Sequence, residues 1–94
     1  MGYEPEKYEK VCDMLKALSN PQRLHIAVNL CASGCNVKKI TEHLGVPQST
    51  ASSHLAKLRN AGVIKGKRKK NEICYSVEDD FARSLLKHIK SASL

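Results

Sequence analysis

Four cysteines are the most reactive side chains in this chain of 94 residues: Cys12, Cys31, Cys35 and Cys74. Thiolates are soft ligands, so two or three together would suit arsenite, zinc or reversible oxidation to a disulfide. Cys31 and Cys35 are separated by three residues, whereas Cys74 has no cysteine near it in sequence. Cys12 could approach Cys35 if a dimer placed the first helix of one chain against the third helix of its partner. Free cysteines also pack as small apolar residues. Sensing thiols at Cys12, Cys31 and Cys35 and plain packing therefore both stay open.

A run of short polar side chains forms a second candidate site. The run follows Pro47 and consists of Gln48, Ser49, Thr50, Ser52 and Ser53. Ala51, Leu55 and Leu58 recur at helical spacing on the opposite side, which predicts a helix of about residues 47–61 with an exposed polar face. Glutamine can bind adenine with two hydrogen bonds, and serine can contact either a base or a phosphate. In isolation, such residues are equally typical of a solvated helix start.

Positive charge is concentrated in the middle of the chain. The formal net charge is +7, and residues 38–70 contain nine of the 16 Lys and Arg residues but one acid, Glu42. Such a charge distribution is typical of a protein that binds a polyanion. The basic residues that we predict to contact DNA are Lys38, Lys57, Lys65, Lys67, Arg68, Lys69 and Lys70.

The elements that would position these residues follow from local patterns. We predict a helix over about 5–18, a second that Asn20-Pro21 begins, and a short third capped by Asn36. Gly45 suits the left-handed residue that closes this third helix before Pro47 begins the next. Ile73, Tyr75 and Val77 recur at alternate positions, which predicts a strand in a hairpin over about 63–77. A last helix over about 79–91 completes a mostly α chain with a small β-hairpin. The single domain, 1–94, is predicted to contain a helix-turn-helix at about 37–61 and a wing at about 63–77.

The first and last predicted helices each have an apolar stripe. The stripes consist of Tyr8, Val11, Cys12, Leu15 and Leu18 on the first helix and Phe81, Leu85, Leu86 and Ile89 on the last. A chain of this length has a modest core and often gains stability by dimerising. Both stripes are therefore candidates for a dimer interface.

Three segments resemble the ArsR/SmtB family of winged-helix repressors: LKALSNPQRLHIAVNL, VPQSTASSHLAKLRNAGVIKGKR and NEICYSV. The resemblance covers about residues 11–90. It implies a winged helix-turn-helix homodimer that binds an imperfect palindrome in double-stranded DNA and represses transcription. By the same resemblance, Gln48, Ser49, Ser52 and Ser53 face the bases, the Lys67–Asn71 turn is the wing, and His54 is partly structural.

Many members of this family release DNA when they bind a metal, a metalloid or a thiol-reactive signal. Asn36 and Lys38 occupy the positions of the two cysteines in the family's third-helix metal site. In the last-helix site Asp79 matches the acid, but Phe81 and Ala92 replace histidines. We therefore expect no metal site and no cofactor, and the effector is unknown. A repressor that needs no small-molecule effector is the alternative.

Other classes of protein fit the sequence less well. Glycine-rich phosphate loops, nucleophile elbows and paired catalytic carboxylates are not found in it, so we expect no enzyme activity. Its N-terminus lacks a signal-like pattern and its apolar runs are too short to span a membrane, so we expect a cytoplasmic protein without a membrane partner. A protein-interaction module of the same fold would need an apolar surface where Gln48–Ser53 is polar.

Overall fold

A computed structural model describes residues 2–34 and 37–94. In this part of the chain, five helices and one antiparallel hairpin follow in the predicted order. The elements are α1 (Pro5–Leu18), α2 (Pro21–Ser33), α3 (Val37–Leu44), α4 (Gln48–Asn60), β1 (Lys65–Lys69), β2 (Glu72–Ser76) and α5 (Asp80–Ser91). The fold class, mostly α with a small β-hairpin, is confirmed.

Side-chain caps fix the starts of two helices. The Asn20 side chain accepts hydrogen bonds from the backbone N–H groups of Gln22 at 2.9 Å and Arg23 at 3.0 Å. Asp79 accepts one from the N–H of Ala82 at 3.0 Å, where its negative charge also stabilises the start of the α5 dipole. The predicted cap of α3, Asn36, lies outside the described residues.

The turn between α3 and α4 depends on glycine. Gly45 has φ 68°, a left-handed conformation that costs other residues energy. The prediction that Pro47 opens the first turn of the next helix is wrong by one residue. Pro47 has ψ 149°, which is extended, so helical geometry starts at Gln48. Its carbonyl still accepts the first helical hydrogen bond, from Ala51 at 3.0 Å.

The core forms where α2 packs against the other helices and β2. Its largest fully buried side chains are Met14, Ile26, Leu30, Leu58, Val63 and Leu86. These residues come from α1, α2, α4, α5 and the segment that leads into β1. A single core therefore holds α4 and the hairpin in fixed positions relative to α2.

The apolar stripe predicted for α1 is only partly in this core. Leu18 is buried, together with Met14 and Ala17, but Tyr8 is 47% exposed and Leu15 is 45% exposed. Cys12 is exposed as well. Successive residues of a helix are about 100° apart, so one stripe can lie partly against the core and partly outside it. Among the described residues, the outer half of this stripe stays largely exposed, and Tyr8 contacts the exposed ring of Tyr3, with the ring centres 5.9 Å apart.

The hairpin extends beyond the core. β1 and β2 are antiparallel with Lys65 opposite Ser76 and Lys69 opposite Glu72, and Lys70 turns between them at φ 55°. Tyr75 is buried, as the predicted alternation requires, but Ile73 is 49% exposed. Ile73 is two residues nearer the tip, past the edge of the core. No helix in the described residues is long and apolar enough to cross a membrane.

Candidate DNA interface

The outer face of α4 is polar and lacks internal partners. Gln48, Ser49, Ser52 and Ser53 are exposed, whereas Thr50 is half-buried. In the described part of the chain, none of the four exposed side chains hydrogen-bonds to the rest of the protein. Short polar groups with free donors and acceptors on the first turns of a helix can approach base edges in a DNA groove.

The opposite face of α4 fixes the helix to the core. Leu58 is fully buried, Ala51 is buried and Leu55 is half-buried. After the helix, the N–H of Val63 donates to the carbonyl of Leu58 at 3.0 Å and turns the chain toward β1. The three apolar positions predicted to face inward do so, and this leaves Gln48 and the serines outside.

A groove of about 360 Å³ separates the two helices of the helix-turn-helix. Lys38 and Glu42 of α3 line one side, and Gln48 and Ser52 of α4 line the other. Lys38 thus lies beside the polar face of α4. Its ammonium group can add a contact to a phosphate next to the groove.

The hairpin supplies the largest cluster of cations. Its predicted DNA-contacting residues are all exposed: Lys65, Lys67, Arg68, Lys69 and Lys70. Lys67 is also 3.9 Å from the Glu78 carboxylate, and both groups are largely exposed, so the ion pair is weak. The repulsion among these charges would be relieved by a phosphate backbone.

Two further cations of α4 lie apart from its first turns. Lys57 lines a shallow hollow with Arg23 of α2 and with Asp13 and Lys16 of α1, away from Gln48. Arg59, which was not among the predicted contacts, lines a hollow with Lys65 where α4 meets the hairpin. Arg59 is seven residues after Ser52, so the two residues lie on one face of α4. This spacing could have identified Arg59 as a candidate DNA contact.

His54 is structural, as the resemblance implies. Its side chain is 8% exposed, and its Nε2 lies 2.8 Å from Gln22 Oε1 on α2. Burial lowers the pKa of His54, and the positive charges of Arg23 and Lys57 lower it further. The ring therefore stays neutral in neutral solution. Sequence patterns gave no sign of this contact, because the two residues are 32 positions apart.

Two of the three candidate sensing thiols lie within the described residues. Cys12 and Cys31 are free thiols, and the Cys31 thiol contacts the backbone carbonyl of Arg83 on α5 at 3.9 Å. Cys31 is half-buried against the core, which agrees with the packing alternative. Cys35 lies outside the described residues. Across residues 2–34 and 37–94, no three His, Cys, Asp or Glu side chains are grouped so that they could hold a metal ion.

The glycine turn between α3 and α4, the polar outer face of α4 and the cationic hairpin define a winged helix-turn-helix DNA-binding protein. Residues 9–66 match the family described as "Bacterial regulatory protein, arsR family". This match covers more than half of the sequence, so the chain belongs to the ArsR family. It is a DNA-binding transcriptional regulator and not an enzyme.

Relatives and solved structures agree with this assignment. The chain is 37% identical over 83 residues to an uncharacterized HTH-type transcriptional regulator of Methanocaldococcus jannaschii, covering 87% of this chain and 93% of that one. The crystal structure of the transcriptional repressor PagR of Bacillus anthracis superposes with a TM-score of 0.80 and 34% identity, over 92% of this chain and 99% of PagR. A homodimeric winged helix-turn-helix DNA-binding domain from Mycobacterium bovis gives a TM-score of 0.78 and 25% identity, over 95% and 85% of the two chains.

Proposed function

We propose that this protein is a homodimeric transcriptional repressor that binds an imperfect palindrome in double-stranded DNA. The observation that carries the proposal is the exposed polar face of α4 beside five exposed cations of the hairpin. In this arrangement α4 enters the major groove and the hairpin lies along the adjacent backbone. A two-fold dimer would space its half-sites about one helical turn, roughly 10 base pairs, apart.

The residues divide by the kind of contact they make. Gln48, Ser49, Ser52 and Ser53 read base edges, because they are short, exposed and on the first turns of α4. Thr50 is half-buried at the edge of this face, and it contacts the phosphate backbone of the DNA. The predicted basic residues position the protein through phosphates, which carry no direct sequence information. They are Lys38, Lys57, Lys65, Lys67, Arg68, Lys69 and Lys70.

The dimer is supported by apolar side chains that the single chain leaves open. Tyr8 and Leu15 on α1 and Phe81 on α5 are 47%, 45% and 43% exposed. Large apolar groups on two helices that flank the DNA-binding unit favour a self-complementary contact between copies. The Mycobacterium bovis neighbour is homodimeric, which supports the same assembly here. Repression agrees with PagR, a relative that is a repressor.

The test starts with selection of binding sites from random or genomic duplexes by the purified protein. The proposal expects an inverted repeat. On the selected duplex, Gln48→Ala should cost about 1–3 kcal/mol, which is roughly fivefold to 100-fold, and should weaken binding to unrelated duplexes much less. Ser49→Ala should act in the same direction. Equal losses on both kinds of DNA would contradict base reading by α4.

Ser84→Ala on α5 is the matched control for Ser49→Ala, since it removes an equally exposed hydroxyl from another helix. Its affinity for the selected duplex should equal that of the wild-type protein. A loss as large as that of Ser49→Ala would show that the effect is not specific to α4.

Release from DNA by a thiol-reactive, metalloid or metal signal stays a prediction. Its support is that Cys31 is a free thiol on α2 in contact with α5, the helix proposed to dimerise. The test compares DNA affinity of reduced, oxidised, arsenite-treated and zinc-treated protein with that of the Cys31→Ser/Cys35→Ser variant. Cys12→Ser tests the third thiol. Identical responses in wild type and variants would favour a repressor without a small-molecule effector.

A further inference from the structure

A side-chain hydrogen bond connects α4, the proposed recognition helix, to α2. His54 Nε2 and Gln22 Oε1 are 2.8 Å apart, and the His54 ring is buried. Gln22 is itself fixed, because its backbone N–H donates to the Asn20 cap at 2.9 Å. The contact therefore joins α4, one residue after Ser53, to a rigid point at the start of α2.

The surroundings of the second ring nitrogen of His54, Nδ1, favour the neutral ring over the protonated ring. Gln22 Oε1 can only accept, so the proton of the neutral ring resides on Nε2. Nδ1 is buried and has no hydrogen-bond partner within the described residues. Protonation of Nδ1 would place a charged N–H group where no acceptor is available, and such a group is costly to bury.

The surroundings of the ring also oppose a positive charge. Arg23 of α2 is held nearby, because its Nε donates to the carbonyl of Ala17 at 2.7 Å. Lys57 follows His54 by less than one turn on α4 and lines the same hollow as Arg23. From α1, Lys16 and Asp13 line this hollow as well. Of these groups, Arg23 and Lys57 act directly against a positive charge on the His54 ring.

We propose that the His54–Gln22 hydrogen bond is a pH-sensitive positioning contact that holds the recognition helix against α2. When His54 is neutral, the contact fixes the angle at which Gln48 and the serines meet the DNA. When mild acid protonates His54, the added Nδ1–H group has no acceptor among the described residues, so the ring moves toward solvent, the contact with Gln22 opens and affinity for the specific duplex falls. This proposal rests on the proposed DNA-binding function, and its test includes measurements that need no DNA.

The sign of the pH effect follows from the lowered pKa of His54 in the folded protein. The unfolded chain binds the proton at the ordinary histidine pKa, about 6.5, and the folded chain binds it only at lower pH. Folded stability from this group is complete above about pH 6.5 and is lost as the pH falls toward the lowered value. Any other histidine that gained a positive charge would strengthen binding to phosphates, so the experiment removes the other three.

The experiment uses a variant that isolates His54. The chain has four histidines, and His25, His43 and His88 are exposed. The triple variant His25→Gln/His43→Gln/His88→Gln keeps His54 as its only histidine. At constant ionic strength, its affinity for the selected duplex should fall as the pH is lowered from neutral into mild acid, in step with the protonation of His54. Its affinity for an unrelated duplex should change less. An affinity that is independent of pH would overturn the proposal.

Two substitutions of Gln22 in this background probe the contact itself. Gln22→Met removes the acceptor, so affinity at pH 7.5 should fall and depend less on pH. Gln22→Glu supplies a carboxylate that pairs with the protonated ring, so affinity should persist into mild acid. The same acid-dependent loss in Gln22→Glu as in its parent would contradict a role for this contact.

NMR of the imidazole nitrogens tests the contact without DNA. In the wild-type protein at neutral pH, His54 should carry its proton on Nε2 and should titrate below the ordinary histidine pKa of about 6.5. A proton on Nδ1, or titration at or above that ordinary pKa, would overturn the proposal. If no DNA complex forms at any pH, the proposed function fails, and these spectra still decide whether the contact exists.

Discussion

Two exposed surfaces of this protein differ in the kind of partner that their side chains can bind. The DNA face, which consists of the outer side of α4 and the hairpin, has exposed polar and positively charged groups, and the Lys67–Glu78 ion pair on it is weak. The terminal-helix face, which consists of Tyr8, Leu15 and Phe81, has large apolar groups without cover. Phosphates and base edges can bind the polar and charged groups of the first surface, whereas the second surface needs another apolar surface to pack against it.

The comparison shows why the same fold needs both surfaces. The core fixes α4 through Leu58 and orients the polar face outward. One copy of α4 reads only a few base pairs, so the second copy that the terminal-helix face would recruit doubles the surface that meets the DNA. Linked binding of this kind raises affinity without changing the interactions at either half-site.

The largest expected effect comes from the terminal-helix face. Leu15→Glu places a charge in the proposed dimer contact, so the protein should sediment as a monomer. Affinity for the inverted repeat should fall on the order of 100-fold, because the two half-sites are no longer linked. Ile73→Glu is the matched control for sedimentation, since Ile73 is 49% exposed but lies on the hairpin, and this variant should stay dimeric. A Leu15→Glu protein that remains dimeric would remove this face from the account.

A smaller effect is expected from the hairpin. Lys69→Ala/Lys70→Ala should weaken binding to all duplexes by a similar factor. It should also reduce the slope of log affinity against log salt by about one unit for each phosphate that the variant no longer binds. Lys87→Ala/Lys90→Ala removes the same charge from α5 and should leave the slope nearly unchanged. If both pairs change the slope equally, net charge and not the position of the hairpin governs binding.

The smallest effect is expected where neither surface is touched. Asn20→Ala removes the side chain that caps α2 at 2.9 Å and 3.0 Å. The free energy of unfolding should fall by about 1 kcal/mol in thermal or urea denaturation. At temperatures where the variant is folded, its salt slope should match the wild type. A changed slope would mean that the α2 start contributes directly to DNA binding.

Local signals predicted most of the fold because they act over a few residues. Asn20-Pro21 fixed the start of α2, and Gly45 gave the turn between α3 and α4. Helical periodicity does not distinguish an apolar residue that packs in the core from one that stays exposed for a partner. It therefore assigns Leu15 and Leu18 to the same stripe, although only Leu18 is buried. Ile73 was grouped with Tyr75 for a similar reason, because alternation does not show where a core ends.

The DNA face was predictable because its chemistry is exposed on consecutive turns of α4. The positions of Gln48, Ser49, Ser52 and Ser53 follow from the buried positions of Ala51 and Leu58. The hydrogen bond between His54 and Gln22 was not predictable, since it forms only after α2 and α4 pack together. Contacts between distant residues depend on tertiary packing, which short sequence patterns do not encode.

The most direct test of the central claim is a salt titration of wild-type protein binding to duplex DNA. The account predicts a complex at low salt whose affinity falls steeply and linearly in log units as salt rises, because binding to phosphates releases counterions. The loss should be shared by specific and unrelated duplexes, with the selected inverted repeat bound more tightly throughout. The absence of any complex at low salt would contradict the assignment of α4 and the hairpin as a DNA-binding surface.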